Sequence, residues 1–90
     1  MKIGILGAGM IGGTVGRLWA EARHEVTFGV RHPERLHSML SGLGGKAMAG
    51  SALDAVAGAD VVLVAIPFRA WPGVAAEIAA ALGDKVLLDA

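Results

Sequence analysis

The sequence contains no cysteine. That excludes a disulfide framework, a thiolate metal site and a cysteine nucleophile. Net charge is absent as well, since eight Lys and Arg balance eight Asp and Glu. The basic residues are scattered singly, so there is no electrostatic footprint for nucleic acid or an anionic membrane. No apolar run approaches the ~20 residues of a membrane span; the longest reaches only from Val61 to Phe68. Lys2 precedes an apolar stretch as in a signal peptide, but Gly7, Gly9, Gly12 and Gly13 interrupt it. The three histidines lack ligand spacing, so no metal site is expected. The absences leave a soluble, cytoplasmic protein with small-molecule partners as the expectation.

What is present is an alternation. Ninety residues with 54% apolar content allow one domain and not two. Lys2 to Leu6 reads as a buried strand, apolar on both faces as in a parallel sheet. Met10 to Ala22 reads as a helix, with Ile11, Val15, Leu18 and Ala22 on one stripe toward the sheet. Gly13 and Gly16 each cost roughly 1 kcal/mol there relative to Ala, which implies close approach to a strand or a ligand. Glu25 to Val30 is a second strand. Pro33 opens a second helix with Leu36, Met39, Leu40 and Leu43 inward, stopped by Gly44-Gly45. Lys46 to Ala49 is a short strand, and Ser51 caps a helix through Ala57. Val61 to Ile66 is the most β-like run. Arg69 to Leu82 is a helix burying Trp71, Val74, Ile78 and Leu82, and Lys85 to Asp89 is a fifth strand.

Strand-helix alternation with short connections implies right-handed crossovers and a parallel sheet. The expected architecture is α/β, a Rossmann-like doubly wound sheet of three αβα layers, strand order 3-2-1-4-5. Its ligand crevice falls where the order reverses, between strands one and four.

Gly7-Ala8-Gly9-Met10-Ile11-Gly12 sits at that crevice, directly after the first strand and opening the first helix. A Gly-x-Gly-x-x-Gly hexamer is weak alone; in this context it is a dinucleotide cradle. Gly7 permits the tight turn, Gly9 leaves room for a pyrophosphate and Gly12 lets the helix lie close to the sheet. The first-turn N–H groups then face the phosphates. The competing reading is a tight turn that binds nothing.

The end of the second strand selects the cofactor. An NAD site places a carboxylate there for the ribose hydroxyls, but this chain has Gly29-Val30-Arg31-His32. Arg31 suits a 2′-phosphate, which favours NADP(H); the alternative is a solvated loop arginine. His32 adds a donor, stacks on adenine, or faces solvent. Glu34 stabilises the following helix through its dipole. Ala65 and Ile66 pass under the dinucleotide by backbone approach. Pro67 turns the chain at the crevice lip, and Phe68 and Arg69 line the cofactor. Trp71 and Trp19 read as packing residues. Asp54 and Asp60 read as turn or surface acids, His24 and His37 as structural, and Asp89 stands alone. No catalytic constellation assembles, which fits hydride transfer, where the cofactor carries the chemistry.

These residues resemble the NADP oxidoreductases dependent on coenzyme F420. The likeness lies in residues 1–12, His24-Glu25-Val26, Gly29-Val30-Arg31 and residues 59–67, and it extends over essentially the whole chain. The motifs are shared with a broader group of small N-terminal Rossmann dehydrogenases that includes pyrroline-carboxylate reductases. The resemblance implies that Gly7, Gly9 and Gly12 carry the NADP pyrophosphate and that Val30, Arg31 and His32 lie at the 2′-phosphate. It also implies that Ile66, Pro67 and Phe68 lie beside the nicotinamide half, with F420 as hydride acceptor. Two departures stand out. Met10 replaces an Asn found in many members, and such enzymes continue past strand five into a Thr-Asn-Pro-like turn and a segment completing the deazaflavin pocket. Residues 1–90 are therefore expected to be the NADP-binding N-terminal part of a longer enzyme, binding cofactor without efficient turnover alone. A homodimer is left open by the resemblance and by an uncovered sheet edge. Two other functions stay in view: a non-enzymatic NADP(H)-sensing or partner-binding module, and an NADP-dependent imine reductase of the pyrroline-carboxylate type.

Overall fold

Five runs rich in apolar residues form one parallel sheet: β1 (Lys2–Leu6), β2 (Glu25–Gly29), β3 (Ala47–Gly50), β4 (Val61–Val64) and β5 (Val86–Asp89). Their spatial order is β3-β2-β1-β4-β5, as the alternation requires. The computed structural model describes residues 1–42, 47–66, 68–83 and 85–89, without the side chains of Met10, Ile11, Phe68 and Asp89. The register sets Leu6 beside Gly29 on one flank and beside Val64 on the other. All three strands thus end at one level, and the chain leaves each of them on the same edge.

The helices are α1 (Met10–Glu21), α2 (His37–Ser41), α3 (Ala52–Ala57) and α4 (Trp71–Leu82). Side chains of a strand alternate between faces, and the core splits accordingly. Ile3, Ile5, Val26, Phe28 and Leu63 are buried on the α1 face, with Ala20, Val15 and Trp19 of α1 against them. Leu6, Val62 and Val64 are buried on the opposite face with Ala55, Val56 and Ala59, the first two from α3, and Ile78 of α4. Phe28, Ile5 and Ile78 have essentially no exposure, each contributing about 1.5–3 kcal/mol of burial. The result is the three-layer arrangement expected.

Polar contacts fix the rim where the strands begin. Asp60 accepts the Lys2 backbone N–H on Oδ2 at 3.0 Å, and its own N–H donates to the Lys2 carbonyl at 2.7 Å. Lys85 Nζ donates to the Ala59 carbonyl at 2.7 Å, anchoring the approach to β5. Ser51 and Asp54 form a reciprocal capping box on α3, with Ser51 Oγ accepting from Asp54 N at 3.1 Å and Asp54 Oδ2 from Ser51 N at 3.0 Å. Ser51 is the cap the sequence indicates, and Asp54 proves to be its partner.

Four expectations change. Leu18 does not face the sheet; it is 58% exposed, and Ala22 lies exposed past the helix end. The inward stripe is Gly12, Val15, Gly16, Trp19 and Ala20. Small residues mark this face because α1 lies too close to the sheet for anything larger at Gly16. A Cβ there would meet the Phe28 ring, with Cε1 at 2.6 Å, and Ile5 Cδ1 at 2.8 Å. Second, the segment after β2 begins as a 3-10 turn, Pro33–Leu36, before becoming α2. There the Arg35 N–H reaches the His32 carbonyl three residues back at 3.0 Å. Third, β4 stops at Val64, and Ala65 and Ile66 lie beyond it. Ala65 N–H still reaches the Leu6 carbonyl at 2.9 Å, but β1 then turns away through Gly7 and the ladder goes no further. Fourth, β2 ends at Gly29, one residue short of the expected Val30, and β3 runs on to Gly50, one past the expected Ala49, where it pairs with Gly29; Lys46 lies outside the described residues. Leu43 and the Gly44-Gly45 stop lie outside the described residues.

This packing separates two glycines that look equivalent in sequence. Gly16→Ala should destabilise by about 1–3 kcal/mol through overpacking. Gly73→Ala, in α4 with open space at its Cβ, should stabilise by about 0.4–1 kcal/mol. Urea unfolding of the two variants checks both signs.

Candidate functional site

The site is built where β1, β2 and β4 end together. One residue past each strand, a backbone N–H is still held by its neighbour. Gly7 N–H donates to the Gly29 carbonyl, Ala65 N–H to the Leu6 carbonyl and Val30 N–H to the Gly50 carbonyl, each at 2.9 Å. Gly7, Val30 and Ala65 thus sit side by side on a rigid shelf. The first turn of α1 starts from the same shelf, since Gly13 N–H closes onto the Gly9 carbonyl at 2.7 Å.

The three motif glycines answer to different constraints. Gly7 has φ +102°, a conformation L side chains rarely adopt. A Cβ on it would also strike the Ala65 carbonyl oxygen at 2.6 Å and Ile66 Cγ2 at 2.9 Å. Gly12 is a contact glycine: its Cβ would sit 3.0 Å from Ala65 Cβ and 3.2 Å from the Gly7 carbonyl oxygen. Gly9 is neither. Its backbone is extended, φ −71° and ψ −164°, which any residue adopts, and a Cβ would meet nothing within 4 Å. Neither conformation nor packing within the chain calls for glycine there; open space is what it provides.

That space lies at a helix N-terminus with no side-chain cap. Gly9 is the N-cap of α1 and offers no side-chain cap hydrogen bond, and no acidic residue stands in the first turn. α3 shows the contrast, because Ser51 Oγ there accepts the Asp54 N–H and Asp54 Oδ2 the Ser51 N–H. The uncapped donors and the positive end of the α1 dipole suit an anionic group at Gly9. A pyrophosphate fits this cradle.

Arg31 and His32 follow immediately on the shelf and are both exposed. His32 Nδ1 lies 3.4 Å from Glu34 Oε1, a contact across Pro33 that sequence reading did not foresee. Ala65 and Ile66 are half-buried, the latter against the second core cluster. Trp71 packs on that cluster too, as expected, and Trp19 on the first. Pro67 and the side chains of Met10, Ile11 and Phe68 lie outside the described residues. Arg69 is exposed.

Two concavities open elsewhere, near the beginnings of the strands. One, of about 210 Å³, is lined by residues including Lys2, Glu25, Thr27 and Met48; the other, of about 450 Å³, includes Asp60, Leu82 and Lys85. Neither is lined by residues of the glycine loop. The described residues bury no polar or charged side chain. Among them no group of three or more His, Cys, Asp or Glu could hold a metal, and no helix is long and apolar enough to cross a membrane. What the shelf offers chemically is backbone donors and exposed cations.

Comparison with known proteins gives this geometry a family. The model of NADP oxidoreductases dependent on coenzyme F420 matches residues 2–90. The chain belongs to that family. A structure from Arthrobacter sp. FB24, assigned as an F420-dependent NADP reductase, superposes with a TM-score of 0.85 at 31% identity. The match covers 99% of this chain and 44% of that one. An imine reductase from Streptomyces aurantiacus superposes with a TM-score of 0.82 at 22% identity, covering 99% of this chain and 31% of that one; this likeness speaks for the fold alone. A search among curated proteins finds no significant match. The chain thus spans less than half the length of either of these two structures.

The glycines should separate in stability. Gly7→Ala should cost about 1–3 kcal/mol from backbone strain alone. Gly9→Ser should leave the fold within about 0.5 kcal/mol, because serine is a favoured N-cap. Urea midpoints of the two variants measure the difference.

Proposed function

We propose that residues 1–90 bind NADP(H) as the N-terminal cofactor domain of a longer oxidoreductase, which transfers a hydride between NADP(H) and a deazaflavin acceptor of the F420 type. The observation that carries this reading is Gly9, an N-cap without a side chain, a steric neighbour or a backbone requirement. It stands among uncapped helix donors at the meeting point of three strands.

In this reading the backbone N–H groups of Met10, Ile11 and Gly12, with the α1 dipole, hold the pyrophosphate over Gly9, and Ala8 forms the loop between. Val30 orients the loop that follows β2, and Arg31 makes charge-assisted hydrogen bonds to the 2′-phosphate. Ala65 and Ile66 support the dinucleotide by close backbone approach, continued by Pro67 and Phe68 toward the nicotinamide. Bound NADPH supplies the hydride. No side chain of this domain serves as acid or base; its residues bind and orient. The F420 acceptor rests on family membership and on the 31% identical Arthrobacter structure. Because the chain covers 44% of that structure's chain, the acceptor pocket is assigned to elements beyond this domain.

Calorimetric titration tests the reading. NADPH should bind more tightly than NADH. Arg31→Ala should lose about 1.5–3 kcal/mol toward NADPH, roughly 10- to 150-fold, with NADH nearly unchanged. Gly9→Val should fold and bind neither. Equal affinity for the two cofactors, or retained binding by Gly9→Val, contradicts the assignment.

A further inference from the structure

Resting on the NADP(H) reading above, we propose that Asp54 is a positioning residue for cofactor choice. It orients the peptide that holds Val30, and Val30 presents Arg31 to the 2′-phosphate. By sequence Asp54 is a turn or surface acid, and in the fold it completes the cap of α3. The cap bears on the cofactor because of the peptide on which it acts.

That peptide joins Gly50 to Ser51. Its N–H, on Ser51, donates to Asp54 Oδ2 at 3.0 Å. Its C=O, on Gly50, accepts the Val30 N–H at 2.9 Å. A peptide unit is planar, so the two bonds fix one rigid plane from opposite edges. Each bond also polarises the group that makes the other, which strengthens both. Asp54 N–H donates back to Ser51 Oγ at 3.1 Å, so the start of α3 is tied to the same plane. Without the Asp54 carboxylate that plane loses the bond at its N–H edge, and the Gly50 carbonyl is less firmly aimed at Val30.

Packing makes the arrangement tight at both strand ends. A Cβ on Gly50 would stand 2.7 Å from Asp54 Oδ2, and one on Gly29 would stand 2.9 Å from Ala52 Cα and 3.1 Å from the Ser51 carbonyl oxygen. The start of α3 thus lies directly on the last residues of β2 and β3, with no side chain of theirs between. Arg31 follows Val30 and is exposed, so the Val30 anchor sets where its long side chain begins. The pyrophosphate cradle has separate support. Gly7 and Gly12 lie against Ala65, and Gly29 keeps its ladder to β1. Asp54 therefore bears on the 2′-phosphate end and not on the dinucleotide as a whole.

Calorimetric titration with NADPH and NADH tests this, read as the ratio of the two affinities. Asp54→Ala should lower the preference for NADPH about two- to tenfold, the scale of ordering one long side chain on binding, and leave NADH unchanged. Asp54→Asn keeps an acceptor for the Ser51 N–H without the charge and should keep the ratio. Gly50→Ala displaces the carboxylate by another route and should lower the ratio too. Asp60→Ala removes the acceptor of the Lys2 N–H at the opposite rim and should leave the ratio unchanged, whatever it costs in stability. With Arg31→Ala already in place, Asp54→Ala should change neither affinity. In the free protein, hydrogen exchange at the Val30 amide should quicken in Asp54→Ala relative to the Gly7 and Ala65 amides. A ratio unchanged in both Asp54→Ala and Gly50→Ala, or an equal loss in Asp60→Ala, overturns the inference and leaves the cofactor assignment standing. So does tighter NADPH binding by Asp54→Asn, the mark of plain charge repulsion. No preference for NADPH in the unaltered protein removes both together.

Discussion

The close seating of α1 on the sheet is the constraint from which the rest of the structure follows. With Gly12 and Gly16 facing inward, the helix axis comes nearer to β1 and β2 than a helix with Cβ atoms at those positions allows. Phe28 and Ile5 fill the surface beneath Gly16, so the contact is tight rather than hollow. Close seating in turn brings the start of the helix directly against the ends of β1 and β4. The turn from β1 into α1 must then be made in very few residues, which is why Gly7 takes a positive φ with Ala65 pressed against it. The position of Gly9 is a consequence of these contacts, and its open space is fixed by them.

The same geometry divides labour between the two ends of the sheet. Where strands begin, polar contacts are internal: Asp60 with Lys2, and Lys85 with the Ala59 carbonyl. Where strands end, backbone bonds hold the shelf and the exposed groups face outward. α3 and α4 close the opposite face through Val56 and Ile78. β5 is less covered, with Val86, Leu87 and Leu88 all exposed. The bare edge expected of the fifth strand is thus a feature of the described residues.

Much of this was legible from residue pattern. The alternation of elements yields the strand order, because parallel strands joined by short right-handed crossovers leave few arrangements. Ser51 announces the α3 cap, and the glycine hexamer lies where strand-to-helix context puts it. The errors share a cause. Periodicity weighs large apolar residues, so it assigned Leu18 to the core, whereas the inward face of α1 is marked by residues that lack bulk. Propensity likewise carried β4 on to Ile66, although a strand ends where its neighbour turns away, and that depends on Gly7, more than fifty residues earlier. The contact between His32 and Glu34 depends on the geometry of a 3-10 turn begun by Pro33, which spacing alone does not convey.

The account's central claim is that the uncapped start of α1 and the end of β2 form one anion-binding shelf for NADP(H). Backbone amide mapping by ¹⁵N-correlated NMR during NADPH titration tests it most directly, because it reports position without presupposing activity. The largest shifts should fall on Gly9 to Gly12, on Arg31 and His32, and on Ala65 and Ile66, with Lys2, Thr27 and Met48 unmoved. Shifts centred on Lys2, Thr27 and Met48 at the opposite end of the strands, with Gly9 to Gly12 silent, would contradict it.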